Sequence, residues 1–115
     1  MLTLTLPYPP SLNHLHAVVH GRKVLSAKGR AYYAEVARSV MAQSVAPFGG
    51  KRISYTVTAF PPDNRRRDLS NLVKAVEDAL THAGVWNDDS QVDAMTWRRG
   101  GASKGGSLFV EIREA

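Results

Sequence analysis

Leu2, Leu4 and Leu6 alternate with Thr3 and Thr5, the period of a strand with one buried face, and Pro7 to Pro10 stop it. Ile53, Tyr55, Val57 and Ala59 repeat the alternation against Ser54, Thr56 and Thr58 until Pro61-Pro62. Between these strands the period changes. Ser26 offers an N-cap, and Tyr33, Val36, Ala37, Val40 and Met41 recur at helical spacing until Pro47-Phe48-Gly49-Gly50, which predicts a first helix. A second helix is predicted after Asp68, a candidate N-cap, with the apolar stripe Leu69, Leu72, Val73, Val76, Leu80 and Ala83 and a stop at Gly84. Two more strands, near Gln91 to Arg99 and Ser107 to Ile112, flank the glycine-rich stretch 100–106. Leu12 to Leu25 has only a weak pattern and reads as a loop or loose hairpin. The order β-α-β-α-β-β belongs to the α+β class: a two-layer α/β sandwich, a small mixed sheet with two helices on one face.

Composition narrows the classes this fold could serve. At 115 residues the expectation is a single domain over 1–115. A hydrophobic share of 43% with 22% charged residues argues against disorder. No apolar run approaches the roughly 20 residues of a membrane span, and the alternating N-terminus is unlike a signal-peptide core. Cysteine is absent, which removes disulfides and thiolate metal sites and fits a reducing compartment. The expectation is a soluble, cytoplasmic protein with no membrane partner. A net charge of +5 and a pI near 9.9 attract nucleic acid. His14, His16 and His20 lack a convincing ligand spacing, so no zinc site is expected.

The chemistry is concentrated between Arg65 and Asp89. Taken singly, its parts are ordinary: Arg65-Arg66-Arg67 as a solvated loop, Asp68 as a cap, Lys74 paired with Asp78, Asp88-Asp89 as a polar turn. Trp86 and Trp97 suit a core or interface better than a base-stacking platform. Together, at the two ends of one helix-length segment, the basic and acidic groups suggest a site that holds a phosphate backbone and places a divalent metal on it. The helix between them spans roughly 14 residues, or about 21 Å. Its ends can meet if the 84–90 loop folds back, if the third strand returns beside the second, or if a neighbouring subunit supplies one carboxylate. The sequence leaves all three open. Ser70, Asn71, Lys74, Glu77, Asp78 and Thr81 lie on the polar side, with Asn71, Lys74 and Asp78 near one line.

The run Arg65-Arg66-Arg67-Asp68-Leu69-Ser70-Asn71-Leu72 with Lys74-Ala75, followed by Asp78-Ala79-Leu80, Ala83-Gly84, Trp86, Asp88-Asp89 and Gln91-Val92, resembles the RusA family of phage-derived Holliday junction resolvases. Leu6-Pro7-Tyr8-Pro9-Pro10-Ser11 with Asn13, then Ser26, Gly29 and Ala31-Tyr32, and finally Lys104-Gly105-Gly106, also look like that family. The resemblance covers nearly the whole chain. It implies a homodimeric, Mg²⁺-dependent endonuclease of DNA recombination and repair that nicks four-way junctions or other branched DNA symmetrically, in a bacterial or phage-infected cell. The family's metal-binding aspartates fall on Asp68 and Asp89, and its essential basic residue falls on Lys74.

One position departs from the family pattern Asp-x-Asp-Asn, because Ser70 stands at the second acid. A serine hydroxyl can ligate Mg²⁺ or hold one of its waters, but it contributes no charge. The consequences to weigh are weaker metal binding, a replacement carboxylate from Asp88, Asp78 or Asp93, or an inactive site; retained activity is the expectation, because the rest of the motif is undisturbed. Asp68, Lys74 and Asp89 are the catalytic candidates, and Ser70 and Asp88 are further candidate metal ligands. Arg65, Arg66, Arg67, Asn71 and Lys104 are the candidate DNA contacts, with Arg22 and Lys23 beside them. Lys74 would act as a point charge on the scissile phosphate. The alternatives are a catalytically inactive branched-DNA-binding module and, less favoured for want of an aromatic-rich sheet motif, an RNA-directed or phosphate-binding accessory protein.

Overall fold

A computed structural model describes the backbone of residues 1–115 and all side chains except those of Leu12 and Asn13, so the Asn13 of the family-like N-terminal motif lies outside the described residues. The chain runs β1 (Leu2–Pro7), a one-turn α1 (Leu12–Leu15), β2 (His16–Val19), β3 (Arg22–Leu25), α2 (Ala27–Ala42), β4 (Ile53–Phe60), α3 (Ser70–His82), β5 (Val92–Arg99) and β6 (Ser107–Glu114). A four-stranded mixed sheet has the order β1-β6-β4-β5. β4 pairs parallel with β5 and antiparallel with β6, and β6 pairs antiparallel with β1. This is the expected mixed sheet, with the weakly patterned segment resolved into a separate β2–β3 hairpin.

The two-residue alternation explains the sheet. Ile53, Tyr55, Val57 and Ala59 of β4 turn one way with Leu108, Val110 and Ile112 of β6 and Leu4 and Leu6 of β1, and all are buried. The intervening threonines and serines stay partly or wholly exposed on the opposite face. α2 and α3 supply the second layer of the core through Tyr32, Val36 and Val40, and through Leu72, Val76, Ala79 and Leu80. The buried stripe of α2 is shifted from the expected one. Tyr32 is buried and donates its hydroxyl to the Pro7 carbonyl at 2.9 Å, whereas Met41 points to solvent.

Ser26 caps α2 as expected, accepting the Gly29 N–H at 3.0 Å. Its hydroxyl also faces the His14 and Leu15 carbonyls, which ties the helix start to α1. Asp68 does not cap α3. The helix opens at Ser70 after Leu69, whose backbone is already helical, and no side chain closes the first turn. At the other end Gly84 adopts φ +80°, the left-handed conformation expected of the residue after a helix stop.

Gly29 makes α2 fit against the hairpin. A Cβ added there would collide with the Leu15 carbonyl oxygen and lie 2.7 Å from Leu25 Cδ1. Gly29→Ala is therefore expected to destabilise the fold by about 1–3 kcal/mol despite the better helix propensity of alanine. Urea unfolding of the variant beside the parent checks this; equal midpoints would mean that the contact relaxes freely.

Candidate active site

The parallel pairing of β4 and β5 makes α3 a crossover helix, and its buried stripe turns Asn71, Lys74 and Asp78 outward. After Gly84 the chain folds back along α3. The Val85 N–H bonds the Leu80 carbonyl at 3.1 Å, and Trp86, 1% exposed, inserts beneath the helix to stack on Tyr55 with ring centroids 5.8 Å apart. This return brings Asp89 alongside Lys74. The loop reversal and the strand return both occur within one chain, and they bring Asp89 to Lys74 in mid-helix rather than to Asp68 at the helix start.

Lys74 Nζ lies 2.9 Å from Asp89 Oδ2 and 3.0 Å from Asp78 Oδ1, so one ammonium bridges two carboxylates. Hydrogen bonds to Asp89 and Asp78 hold the Lys74 pKa well above its ordinary value. Asp89 is more enclosed. Burial works to raise its pKa, but hydrogen bonds from Lys74 and Thr81, together with the Lys74 charge, outweigh it and leave the carboxyl below the usual range. Beside them Glu77 accepts the Tyr55 hydroxyl at 2.6 Å. Burial raises the Glu77 pKa, the Tyr55 bond opposes that rise, and the Asp89 charge adds to it. Tyr33 of α2 borders the same group, its phenol pushed up by burial and by the Asp78 charge.

A second cluster forms where β4 ends and α3 begins. Asp63 accepts the Arg65 N–H at 2.9 Å and binds Arg67 Nη1 at 2.6 Å. These bonds, the Arg67 side chain first, hold the Asp63 carboxyl at about 2. Arg99, at the end of β5, donates to the Arg67 carbonyl at 2.6 Å. The arginine run thus divides in its roles. The Arg67 side chain, 26% exposed, clasps the loop, while Arg65 is 85% exposed and Arg66 also projects to solvent. Arg66, Arg67, Asp68 and Asn71 border a cleft of about 300 Å³ whose apolar wall is Tyr8 and Pro10.

The structure brings Lys74 and Asp89 together and adds Asp78. It keeps Asp68 and Ser70 at the exposed start of α3, where the Asp68 carboxylate enters none of the side-chain hydrogen bonds or ion pairs among the described residues. Asp88 is occupied otherwise. Its Oδ1 accepts the Ser90 N–H at 2.8 Å within a capping box completed by Gln91. Asp93 pairs with Arg52. Lys104 lies exposed in the β5–β6 connection, without a described bond to the arginine cluster. Asp63 and Arg99 escaped the sequence reading, because a clasp between a loop and a distant strand end leaves no local pattern.

Among the described residues no three acidic or histidine side chains gather into a ready-made metal-ligand set. The donor chemistry at Lys74 still fits a hard divalent cation. Two carboxylates converge on one positive charge at 2.9 and 3.0 Å, and Mg²⁺ commonly takes one or two carboxylates and completes its shell with water and phosphate oxygens.

Comparison with known proteins gives a consistent answer. A family model described as Endodeoxyribonuclease RusA matches residues 7–113. The chain is 40% identical over 111 residues to the crossover junction endodeoxyribonuclease of Enterobacteria phage 82, covering 96% of this chain and 92% of that protein. It is 41% identical over 113 residues to the crossover junction endodeoxyribonuclease of Escherichia coli K12, covering 97% and 93%. With that of Enterobacteria phage HK97 it shares 38% over 109 residues, 95% and 91% of the two chains. A family model that matches residues 7–113, with relatives 38–41% identical over nearly the full length of both partners, establishes that the chain belongs to the RusA endodeoxyribonuclease family.

Proposed function

We propose that this chain, as one nuclease domain over 1–115, is a structure-selective endodeoxyribonuclease that hydrolyses phosphodiester bonds in four-way junctions, depends on Mg²⁺ and acts in the cytoplasm of a bacterial or phage-infected cell. The observation that carries this reading is the Lys74 ammonium bridged between Asp78 and Asp89 on the same helix whose start carries Asp68 and the arginine loop. The exposed line of α3 measures about 20 Å, close to six nucleotide rises of one DNA strand at roughly 3.4 Å each. A strand lying along it would meet Arg65, Arg66 and Asn71 first and Lys74 next. Relatives named as crossover junction endodeoxyribonucleases support the same substrate class.

Lys74 is the cation placed to balance charge on the scissile phosphate as the attacking water adds and the leaving oxygen departs. Asp89 and Asp78 would hold one metal; Asp68 and Ser70, which stand apart from them at the start of the helix, are the oxygens available to a second. Bound Mg²⁺ supplies a water of lowered pKa and neutralises charge developing on the phosphate. The chain's own part is to fix these oxygens and to keep Lys74 protonated, which its raised pKa does across the neutral range. One chain carries one such site, so paired symmetric cuts require two chains related by a two-fold axis, a homodimer matching the two-fold of the junction.

A catalytically inactive junction-binding module is the second reading. The specific point in its favour is Ser70, exposed and uncharged where the resemblance expects an acid.

A labelled synthetic four-way junction, incubated with the protein in Mg²⁺ and in EDTA, separates the two: paired symmetric nicks only in Mg²⁺ are expected, and binding with every strand intact would select the inactive module. Asp89→Asn should retain junction affinity within about threefold and lose cleavage by on the order of 10²-fold or more. Ser70→Asp should lower the Mg²⁺ concentration needed for half-maximal cleavage, and an unchanged requirement would show that Asp78 already fills the role. For the backbone grip, Arg66→Ala should reduce the slope of log affinity against log salt by about one unit. An unchanged slope removes Arg66 from the interface.

A further inference from the structure

The Thr81 hydroxyl stands at a junction of three hydrogen-bonding groups. Oγ1 lies 2.7 Å from Trp86 Nε1, 2.7 Å from Asp89 Oδ1 and 2.8 Å from the Glu77 carbonyl oxygen. The indole N–H can only donate, so it takes up a lone pair of Oγ1 and leaves the single hydroxyl proton to serve Asp89 or the carbonyl one turn back. An ionised carboxylate is the stronger acceptor, so the proton goes to Asp89 Oδ1. Lys74 binds the other oxygen, Oδ2, at 2.9 Å. Each oxygen of the Asp89 carboxylate thereby has its own donor.

The anchor of this arrangement lies in the core. Trp86 is fully buried, and its ring is inclined 22° to Tyr55, whose hydroxyl donates to Glu77 Oε2 and accepts the Trp97 indole N–H at 3.1 Å. The Trp86 ring therefore has one orientation, and its N–H fixes the rotation of the Thr81 hydroxyl. Lys74 alone could not do this, because its side chain is 71% exposed and four rotatable bonds separate the ammonium from the backbone.

We propose that Thr81, oriented by Trp86, is a positioning residue that fixes the side-chain rotamer of Asp89 for phosphodiester hydrolysis. The catalytic consequence rests on the role of Asp89 proposed above, whereas the positioning itself does not.

The test compares the parent with Thr81→Val, Thr81→Ser and Trp86→Phe. Three-bond NMR couplings at Asp89 should report one χ1 rotamer in the parent and in Thr81→Ser, and rotamer averaging in Thr81→Val and Trp86→Phe. In junction cleavage, Thr81→Val should lose on the order of 10- to 100-fold in kcat with junction affinity within about twofold, and Thr81→Ser should recover most of the loss. Combining Trp86→Phe with Thr81→Val should add little to Thr81→Val alone, since both act through one hydroxyl. A single Asp89 rotamer in Thr81→Val, or an equal loss of kcat in Thr81→Ser, would overturn the proposal. Thermal melts of each variant separate loss of fold from loss of position. A parent that leaves junctions uncut would overturn the nuclease reading, while the couplings would still decide the positioning.

Discussion

Parallel pairing between β4 and β5 is the constraint on which the rest of the structure depends. Two parallel neighbours cannot be joined by a tight turn; the chain must cross the sheet and return, and here it returns as α3. That crossover sets the direction of the helix, with its start at the C-terminal edge of β4 and its end at the N-terminal edge of β5. Everything chemical follows from this placement. The arginine loop occupies one connection and Asp89 the other, and the helix carries Lys74 between them. Burial of Val76, Ala79 and Leu80 leaves the helix no choice about which face it shows to solvent.

Much of this was legible in the chain because it rests on local periods. The strands β1, β4 and β6 have one buried face, so their two-residue alternation is plain, and Ser26 and Gly84 announce a helix start and a helix stop. The β2–β3 hairpin was legible only as one of two alternatives, a loop or a loose hairpin. Ala17, Val18, Val19 and Val24 are exposed, and a strand pair without a buried face imposes no alternation on its sequence. Asp68 misled as a cap, because Leu69 enters the helical conformation one residue before Ser70 and leaves the aspartate outside the first turn.

The candidate site divides along the same line. Lys74 with Asp78 follows from helical spacing alone. Asp89 beside Lys74 depends on a loop reversal whose cause, the Trp86 ring against Tyr55, is a contact far apart in sequence. Thr81 was placed on the correct face of the helix, but nothing in the linear order says that an indole would seek its hydroxyl. The competing carboxylates were separated by their partners: Asp88 by a capping box and Asp93 by Arg52. In both cases a non-local or turn hydrogen bond decides the role of an acid that composition alone leaves ambiguous.

The clasp between Asp63 and Arg67 has a consequence for acid tolerance. Asp63 titrates at about 2 in the folded chain, below the ordinary carboxylate value near 3.9, so the clasp is fully formed above that ordinary value and is lost only as pH falls through about 2. Throughout the mildly acidic range the ion pair between Asp63 and Arg67 in this connection keeps both its charges. Between neutral pH and pH 4 the Asp63 carboxylate therefore stays charged opposite Arg67, and protons do not reach this contact.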